Sequence, residues 1–559
     1  FFNVDPITPK IKLDYNDVIV SLSEENFFAP VYKWHEDRGM IFGCDHGGRG
    51  RDVTEFGDYF RTQKWNQGPG SDQPRLSKDI IKAKVASSIA HLYKRPRVWL
   101  EGFHSSGWGT SSADVTEAIS ANFVAGYNLL SFHGLCYSTI GGWWEWAPPD
   151  NHFRMPYWKQ IDPLMGYIER LSYLLSQGYH NCDVAVIYPT EPVVAEMDGE
   201  KSVNIAFETG ELLYSKGIDF DFIDFESLAR SEVKDRELNV SDERYKVLIV
   251  PSMKAIRYSS LKKIEEFRNG GGIVVNIGNI PEATEKNGIN DQETDILVKK
   301  IFSAGPDIIQ CSDAKDVVSA VEGKYDAGFK ILSDINDRPY VMHRIIGKRD
   351  VYALYNLPER TSCFFRSKGS AELWDPWNGT VSSLSDYAVH TKDGTEITLP
   401  LTSKEIQIIV FDPENTGTGN KLSLKKGVKE YVLDDNWEFE LKPSLDNRWG
   451  DFELPASDRL IGAEVRELFL SDNEEYYGEK ISFNESWKKI TCGFGPQFLK
   501  LGPLSQLPSD QEIQNIYAKK EGEEVLIYGK KYPWNDYSFS WQTGVEGDYG
   551  HQGYHGLKG

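Results

Sequence analysis

Three short apolar runs each empty at once into a polar, glycine-rich stretch, and this pattern constrains the fold more than any other feature. Met40-Ile41-Phe42-Gly43 reads as a strand that runs into Cys44-Asp45-His46-Gly47-Gly48-Arg49-Gly50-Arg51-Asp52. Val98-Trp99-Leu100 delivers Glu101 and then Gly102-Phe103-His104. Asn128-Leu129-Leu130-Ser131-Phe132 ends in His133-Gly134. Helical patterns over 14–38, 77–94, 113–126 and 158–178 surround them. Buried strands alternating with helices imply a parallel sheet or barrel, and there the C-terminal strand ends line the ligand crevice. Residues 1–180 hold too few strands for a ring of eight. They are expected to form the C-terminal part of a (β/α)8 TIM-type barrel, in a chain that is a piece of a longer protein.

Within the first helix Asp14 or Asn16 is the expected cap. Val18, Ile19, Leu22, Phe27, Phe28, Val31 and Trp34 supply its apolar positions, and Pro30 is placed to kink it. Ser77 is the expected cap of the second, with Ala83, Val85, Ala86, Ile89, Ala90 and Leu92 facing inward. Over 181–325 strands at Asp183–Tyr188, Phe220–Ile223, Lys246–Pro251 and Gly270–Asn276 alternate with helices, which predicts a doubly wound, flavodoxin-like α/β domain. The triple glycine there precedes a strand instead of opening a helix, so no nucleotide site is expected. Residues 326–415 read as a small β-sandwich and 425–559 as a further β domain. The expected class is multidomain α/β plus β.

Composition narrows the partners. A net charge of −22 argues against nucleic acid or an anionic membrane surface. It leaves a neutral glycan open, and an aromatic content of 13% suits stacking against sugar rings. No apolar run of about 18 residues exists to span a membrane. The six cysteines are scattered without metal-ligand spacing and read as mostly free, buried thiols. Homo-oligomerisation is compatible with the sequence.

Glycoside hydrolysis needs two carboxyl groups flanking the scissile bond, about 6.5–9.5 Å apart in inverting enzymes and about 5 Å in retaining ones. Glu101 is the first candidate, with Asp45, Glu55 or Asp58 on the loops after another strand as its partner. His46, Arg49, Arg51, Tyr59, Arg61, Trp65, His104, Trp108, His133 and Tyr137 are candidates for orienting and binding the sugar. Trp143, Trp144 and Trp146 crowd one loop and are the expected sugar platform. No cofactor is required. A Ca²⁺ held by such carboxylates is compatible with the sequence, although no EF-hand-like loop is present.

The run Lys84-Val85-Ala86-Ser87-Ser88-Ile89-Ala90-His91-Leu92-Tyr93, followed by Trp99-Leu100-Glu101-Gly102-Phe103, resembles a segment of glycoside hydrolase family 106. The likeness continues through Asn128, His133-Gly134 and the helix ending Leu174-Leu175-Ser176-Gln177-Gly178. Asp183-Val184-Ala185-Val186-Ile187-Tyr188-Pro189 is similar to the start of the α/β domain after the barrel, itself like the trimerisation domain of family 42 β-galactosidases. Leu445-Asp446-Asn447-Arg448-Trp449-Gly450-Asp451-Phe452 resembles the entry to a galactose-binding-like β domain. The resemblance implies an inverting α-L-rhamnosidase with Glu101 as the family's strand-end glutamate, secreted to the periplasm or beyond the cell. Its second carboxylate falls on Asp58 in Gly57-Asp58-Tyr59-Phe60 or on Glu55 in Thr54-Glu55-Phe56. A retaining β-glycosidase of the family 42 or family 2 type and an inactive carbohydrate-binding protein are the alternatives.

Overall fold

A computed structural model describes residues 5–106, 110–134, 158–415, 420–422 and 431–432, together with six short strands beyond residue 460. The chain divides into two compact units, one of residues 1–102, 112–131 and 162–429, the other of 103–111, 132–161 and 430–559. The architecture is mixed α/β with several sheets.

Helix α1 (Thr8–Ser23) starts at Thr8 with Pro9 in its first turn, so Asp14 and Asn16 lie inside it and cap nothing. A single π-helical turn, Glu24–Phe28, separates it from α2 (Ala29–Glu36). Pro30 explains the break: it has no N–H for the carbonyl four residues back, and its ring crowds that carbonyl. The expected inward stripe is reversed. Val18, Ile19, Leu22, Phe27 and Trp34 are exposed, while Leu13, Val20 and Phe28 are buried. The helix docks through its charged side instead, where Asp17 pairs with Arg257 and Glu24 with Arg61.

Met40–Gly43 is not a strand. Its backbone ties are two isolated bonds, from the Gly68 N–H to the Phe42 carbonyl and from the Met40 N–H to the His35 carbonyl, both 3.0 Å, and Met40 and Ile41 stay exposed. Helix α3 (Tyr59–Gln63) is capped by Asp58, whose carboxylate accepts from the Arg61 N–H at 3.1 Å. Strand β1 (Gly70–Gln73) occupies a stretch that reads as loop. Helix α4 (Ile80–Leu92) is capped by Asp79, not Ser77. Strand β2 (Trp99–Gly102), helix α5 (Ser112–Ala125) and strand β3 (Leu129–Phe132) follow, and the three strands form a sheet in the order β1-β2-β3. Pairing of β1 with β2 is parallel, Gly70 opposite Trp99. A Cβ at position 70 would sit 2.1 Å from the Trp99 carbonyl oxygen, so only glycine allows this approach.

Helix α6 (Ile161–Leu174) leads to β4 (Tyr179–His180), then β5 (Val184–Ile187), α7 (Thr190–Val194), α8 (Gly199–Ser215), β6 (Phe220–Ile223) and α9 (Phe225–Arg230). A small antiparallel sheet, β7 (Glu232–Lys234), β8 (Glu237–Val240) and β9 (Glu243–Tyr245), interrupts the alternation. It resumes with β10 (Val247–Pro251), α10 (Tyr258–Asn269) and β11 (Ile273–Ile277). A two-stranded pair, β12 (Ala283–Thr284) and β13 (Gly288–Ile289), precedes α11 (Gln292–Phe302), β14 (Ile308–Cys311) and α12 (Val317–Glu322). The order β14-β11-β10-β5-β6 is parallel throughout. Its central strands, β5 and β10, are buried along their whole length, as strands covered on both faces must be.

Antiparallel strands then take over: β15 (Phe329–Ile331), β16 (Tyr340–Ile346), β17 (Arg349–Tyr355), β18 (Ser362–Phe365), β19 (Ser370–Asp375), β20 (Thr380–Ser383), β21 (Ala388–His390), β22 (Thr395–Thr398) and β23 (Gln407–Asp412). They form two sheets, β15-β18-β22-β21 and β20-β19-β23-β17-β16-β4. One core joins them, with Phe365 and Ile397 from the first and Tyr352, Leu373 and Phe411 from the second. Strand β4 crosses the expected boundary at residue 180, His180 pairing with Arg344 of β16. Beyond residue 460 the described strands make three antiparallel pairs; the rest of the expected galactose-binding-like domain, its Leu445–Phe452 stretch included, lies outside the described residues. Among the described residues no helix is long and apolar enough to cross a membrane, and Cys44, Cys182, Cys311 and Cys363 are free thiols.

Two outcomes follow from these packings. Gly70→Ala should destabilise the protein by about 2–3 kcal/mol, the range for forced overpacking, read as the midpoint of denaturant unfolding; an unchanged midpoint refutes the close approach. Burial, with the Glu191 and Asp224 charges adding to it, pushes the Asp58 carboxyl from 3.8 up to about 8. Its stabilising contribution is therefore full below about pH 4 and lost as pH rises through about 8. Asn caps equally well and stays neutral. The Tm of Asp58→Asn should gain on wild type steadily from about pH 5 to about pH 8, and a constant difference contradicts the assignment.

Candidate active site

Glu101 lies near the C-terminal end of β2 and is half-buried. Directly opposite it in the parallel register stands Asp72 of β1. Opposed residues of neighbouring strands share one face of a sheet, with the strands about 4.8 Å apart, so the two carboxylates project to the same side. The other face is closed: Leu100 is buried, and the Ser71 hydroxyl meets the Tyr127 hydroxyl at 2.6 Å.

Asp72 is 2% exposed and is held by two cations. Lys82, two residues into α4, places Nζ 3.2 Å from its Oδ1. Arg49 pairs with the same oxygen through Nε. The Asp72 N–H donates to Asp45 Oδ1 at 3.3 Å, and Arg49 Nη2 lies 3.5 Å from Asp45 Oδ2. Arg49 itself adopts a left-handed backbone, φ 50°, within the turn that carries Asp45. Asp45 and Asp72 are thus balanced by Arg49 and Lys82, and Glu101 stands opposite Asp72 in the register.

Their environments differ. Burial first, and the Asp72 charge second, raise the Asp45 carboxyl above the usual range. Asp72 instead meets a lysine and an arginine at one oxygen. Carboxyl groups in such different settings can divide the acid and base roles of one reaction. Their oxygens are also the donor set that a hard cation takes.

Glu55 braces the loop, accepting from the Gly48 N–H at 3.0 Å, and burial raises its carboxyl. Burial lowers His46 to about 4, and its ring packs on Phe28, Phe56 and Tyr59. The remaining candidates are structural. Asp58 is a buried helix cap. Tyr59 is fully buried. Arg51 makes a two-pronged pair with Asp79, both contacts 2.8 Å. Arg61 hydrogen-bonds Glu24 from Nε at 3.1 Å and the Ser21 hydroxyl at 3.0 Å, and the Trp65 indole donates to Glu24 at 3.0 Å. These three tie elements together, Arg61 and Trp65 through Glu24 and Arg51 through Asp79. His104 and His133 belong to the second unit, their ring centroids 5.4 Å apart. Trp108, Tyr137, Trp143, Trp144 and Trp146 lie outside the described residues.

Asp72 and Lys82 were not legible as site residues. Gly70-Ser71-Asp72-Gln73 has no β-branched or aromatic residue to mark a strand. The one available signal is Asp72 itself, polar in a stretch of Gly and Pro that otherwise reads as a turn.

A putative beta-glucuronidase of Formosa agariphila is 26% identical over 427 residues, which is 72% of this chain and 34% of that protein. A rhamnosidase from Novosphingobium sp. PP1Y shares the fold with a TM-score of 0.58 at 21% identity, over 75% of this chain and 41% of that one. The family 42 beta-galactosidase Gan42B of G. stearothermophilus aligns with a TM-score of 0.49 at 11% identity, over 73% of this chain and 69% of that one. The chain therefore spans about a third of the curated relative's length and about two fifths of the solved rhamnosidase's. The sequence profile of glycoside hydrolase family 106 matches residues 6–389, well over half of the chain, and the chain belongs to that family, the alpha-L-rhamnosidases.

Proposed function

We propose that this chain carries the catalytic face of an exo-acting glycoside hydrolase that releases terminal α-L-rhamnose from plant polysaccharide or glycoconjugate outside the cytoplasm. In this reading β1, β2 and β3 with their helices are the C-terminal part of a TIM-type barrel. The five-stranded parallel sheet is a flavodoxin-like domain, the two antiparallel sheets a β-sandwich, and the last residues a galactose-binding-like domain. The observation that carries the reading is the register that sets Asp72 against Glu101, with Asp45 bonded to the Asp72 backbone.

Inversion needs one carboxyl group to protonate the leaving oxygen and another to activate water. In this reading Asp72, paired with Lys82 and Arg49, does not serve as the acid. The proton donor is then Asp45 or Glu101, and the other group with Asp72 supplies the base side. A second reading, hydrolysis of a β-glucuronide, is favoured by the likeness to the Formosa beta-glucuronidase.

The test is hydrolysis of 4-nitrophenyl α-L-rhamnoside by the full-length protein, with 4-nitrophenyl β-D-glucuronide alongside. Glu101→Gln and Asp45→Asn should each lower kcat about 10²–10⁴-fold, the usual worth of a general acid or base, with Tm held near wild type. Loss of the acid should be largely rescued by a 2,4-dinitrophenyl leaving group, which needs little protonation; loss of the base should not. Rhamnoside turnover that survives both substitutions would remove these carboxylates from the mechanism. Turnover of the glucuronide alone would replace the sugar and keep the site.

A further inference from the structure

A second polar cluster lies away from the β1-β2 strand ends, between α4 and the parallel sheet. His91 from α4, His180 from β4, Asp221 from β6 and Glu243 from β9 each direct one donor atom inward, and these atoms all lie within 4.8 Å of one another. His91 Nδ1 is 3.0 Å from Asp221 Oδ1. His180 Nδ1 is 3.3 Å from Asp221 Oδ2 and 3.4 Å from Glu243 Oε2. The side chains of His180, Asp221 and Glu243 are at most 1% exposed. Yet His180 Nδ1 and Glu243 Oε2 find no hydrogen-bond partner of acceptable geometry. Orphaned buried polar atoms are rare because each carries a desolvation cost.

The surroundings are those of a ligand set. A metal-binding imidazole usually donates its other N–H to a carboxylate, which fixes its tautomer. His180 does this: Nε2 lies 2.8 Å from Asp219 Oδ2, and Lys84 in turn holds Asp219 at 2.7 Å. That leaves Nδ1 for the cluster. Asp221 is fixed from both sides, by the Ser88 hydroxyl at 3.0 Å and the Tyr245 hydroxyl at 2.9 Å. A cleft of about 270 Å³, lined by Cys182 and Asp219 among others, lies beside it.

We propose that His91, His180, Asp221 and Glu243 form a binding site for one divalent transition-metal ion of the zinc type. Two imidazole nitrogens with two carboxylates suit zinc, whereas calcium takes six to eight oxygens. Bonds of about 2.1 Å in a tetrahedron put donors about 3.4 Å apart, and the present spacings bracket that value. The ion replaces the protons that otherwise join each imidazole to its carboxylate. All four protein positions are filled, so the role is structural: the ion clamps one helix to three strands from distant parts of the chain.

The experiment uses the full-length protein, stripped with EDTA and titrated with ZnCl₂, then with CoCl₂ as a visible reporter. Expected are one equivalent of zinc by calorimetry and elemental analysis, a Tm that rises with zinc, no competition from Ca²⁺, and the intense visible bands of four-coordinate cobalt. Glu243→Gln and Asp219→Asn should each weaken binding about 10–100-fold or more, the loss typical of a disrupted ligand or supporting carboxylate. A folded protein that takes up neither metal overturns the proposal and leaves a protonated His180 as the source of charge. Uptake unaffected by both substitutions overturns it too, since the ion then sits elsewhere. Should the variants fail to fold, weak six-coordinate bands in the wild-type cobalt spectrum overturn it equally, since this ligand set is four-coordinate.

Discussion

Helix α4 is buried on nearly every side, and its polar side chains therefore have to find partners inside the protein. Lys84, Ser88 and His91 recur at i, i+4 and i+7, so they line one face. That face meets β6, where Asp219 and Asp221 receive all three. An unpaired ammonium or carboxylate at such depth would be unfavourable by several kcal/mol. The alternation of charge between helix and strand is thus a condition for the contact to exist. The small residues Ala83, Ala86, Ser87 and Ala90 let the helix approach its neighbours closely enough for those short side chains to meet.

The same condition explains what the sequence hid. A stripe of Lys, Ser and His on a helix reads as its wet face, and the apolar residues Val85, Ile89 and Leu92 read as its inner one. Here both faces are inner, because one helix serves two sheets. The converse holds for α1, whose apolar stripe is exposed while Asp17 and Glu24 bind Arg257 and Arg61. Periodicity reports which residues lie together on a helix. It does not report which side meets the protein when charge pairs compete with apolar area.

Strands were legible where they are apolar and continuous. Val184–Ile187, Val247–Pro251 and Ile273–Ile277 are buried runs of Val and Ile, and their parallel pairing follows from the helices between them. Glu101 was legible for the same reason, as the first carboxylate after a buried run. Met40–Gly43 has the same composition and forms no ladder, since the position beside β2 is taken by Gly70–Gln73. That strand succeeds through backbone proximity, with glycine against Trp99, and not through side-chain preference. The carboxylate opposite Glu101 in the register is Asp72, whereas the sequence offers Asp45, Asp58 and Glu55 as its partners.

One helix also joins the two polar centres. Lys82 and His91 are nine residues apart on α4, which is about two and a half turns and about 13.5 Å of rise. Half a turn beyond a whole number puts them on opposite sides, so Lys82 faces Asp72 of β1 while His91 faces Asp221 of β6. Anchoring His91 fixes both the rotation and the axial position of the helix. Those two quantities decide whether Lys82 Nζ reaches Asp72, the carboxylate opposite Glu101. The buried network under the helix is in this sense part of the support for the site above it, even though no residue belongs to both.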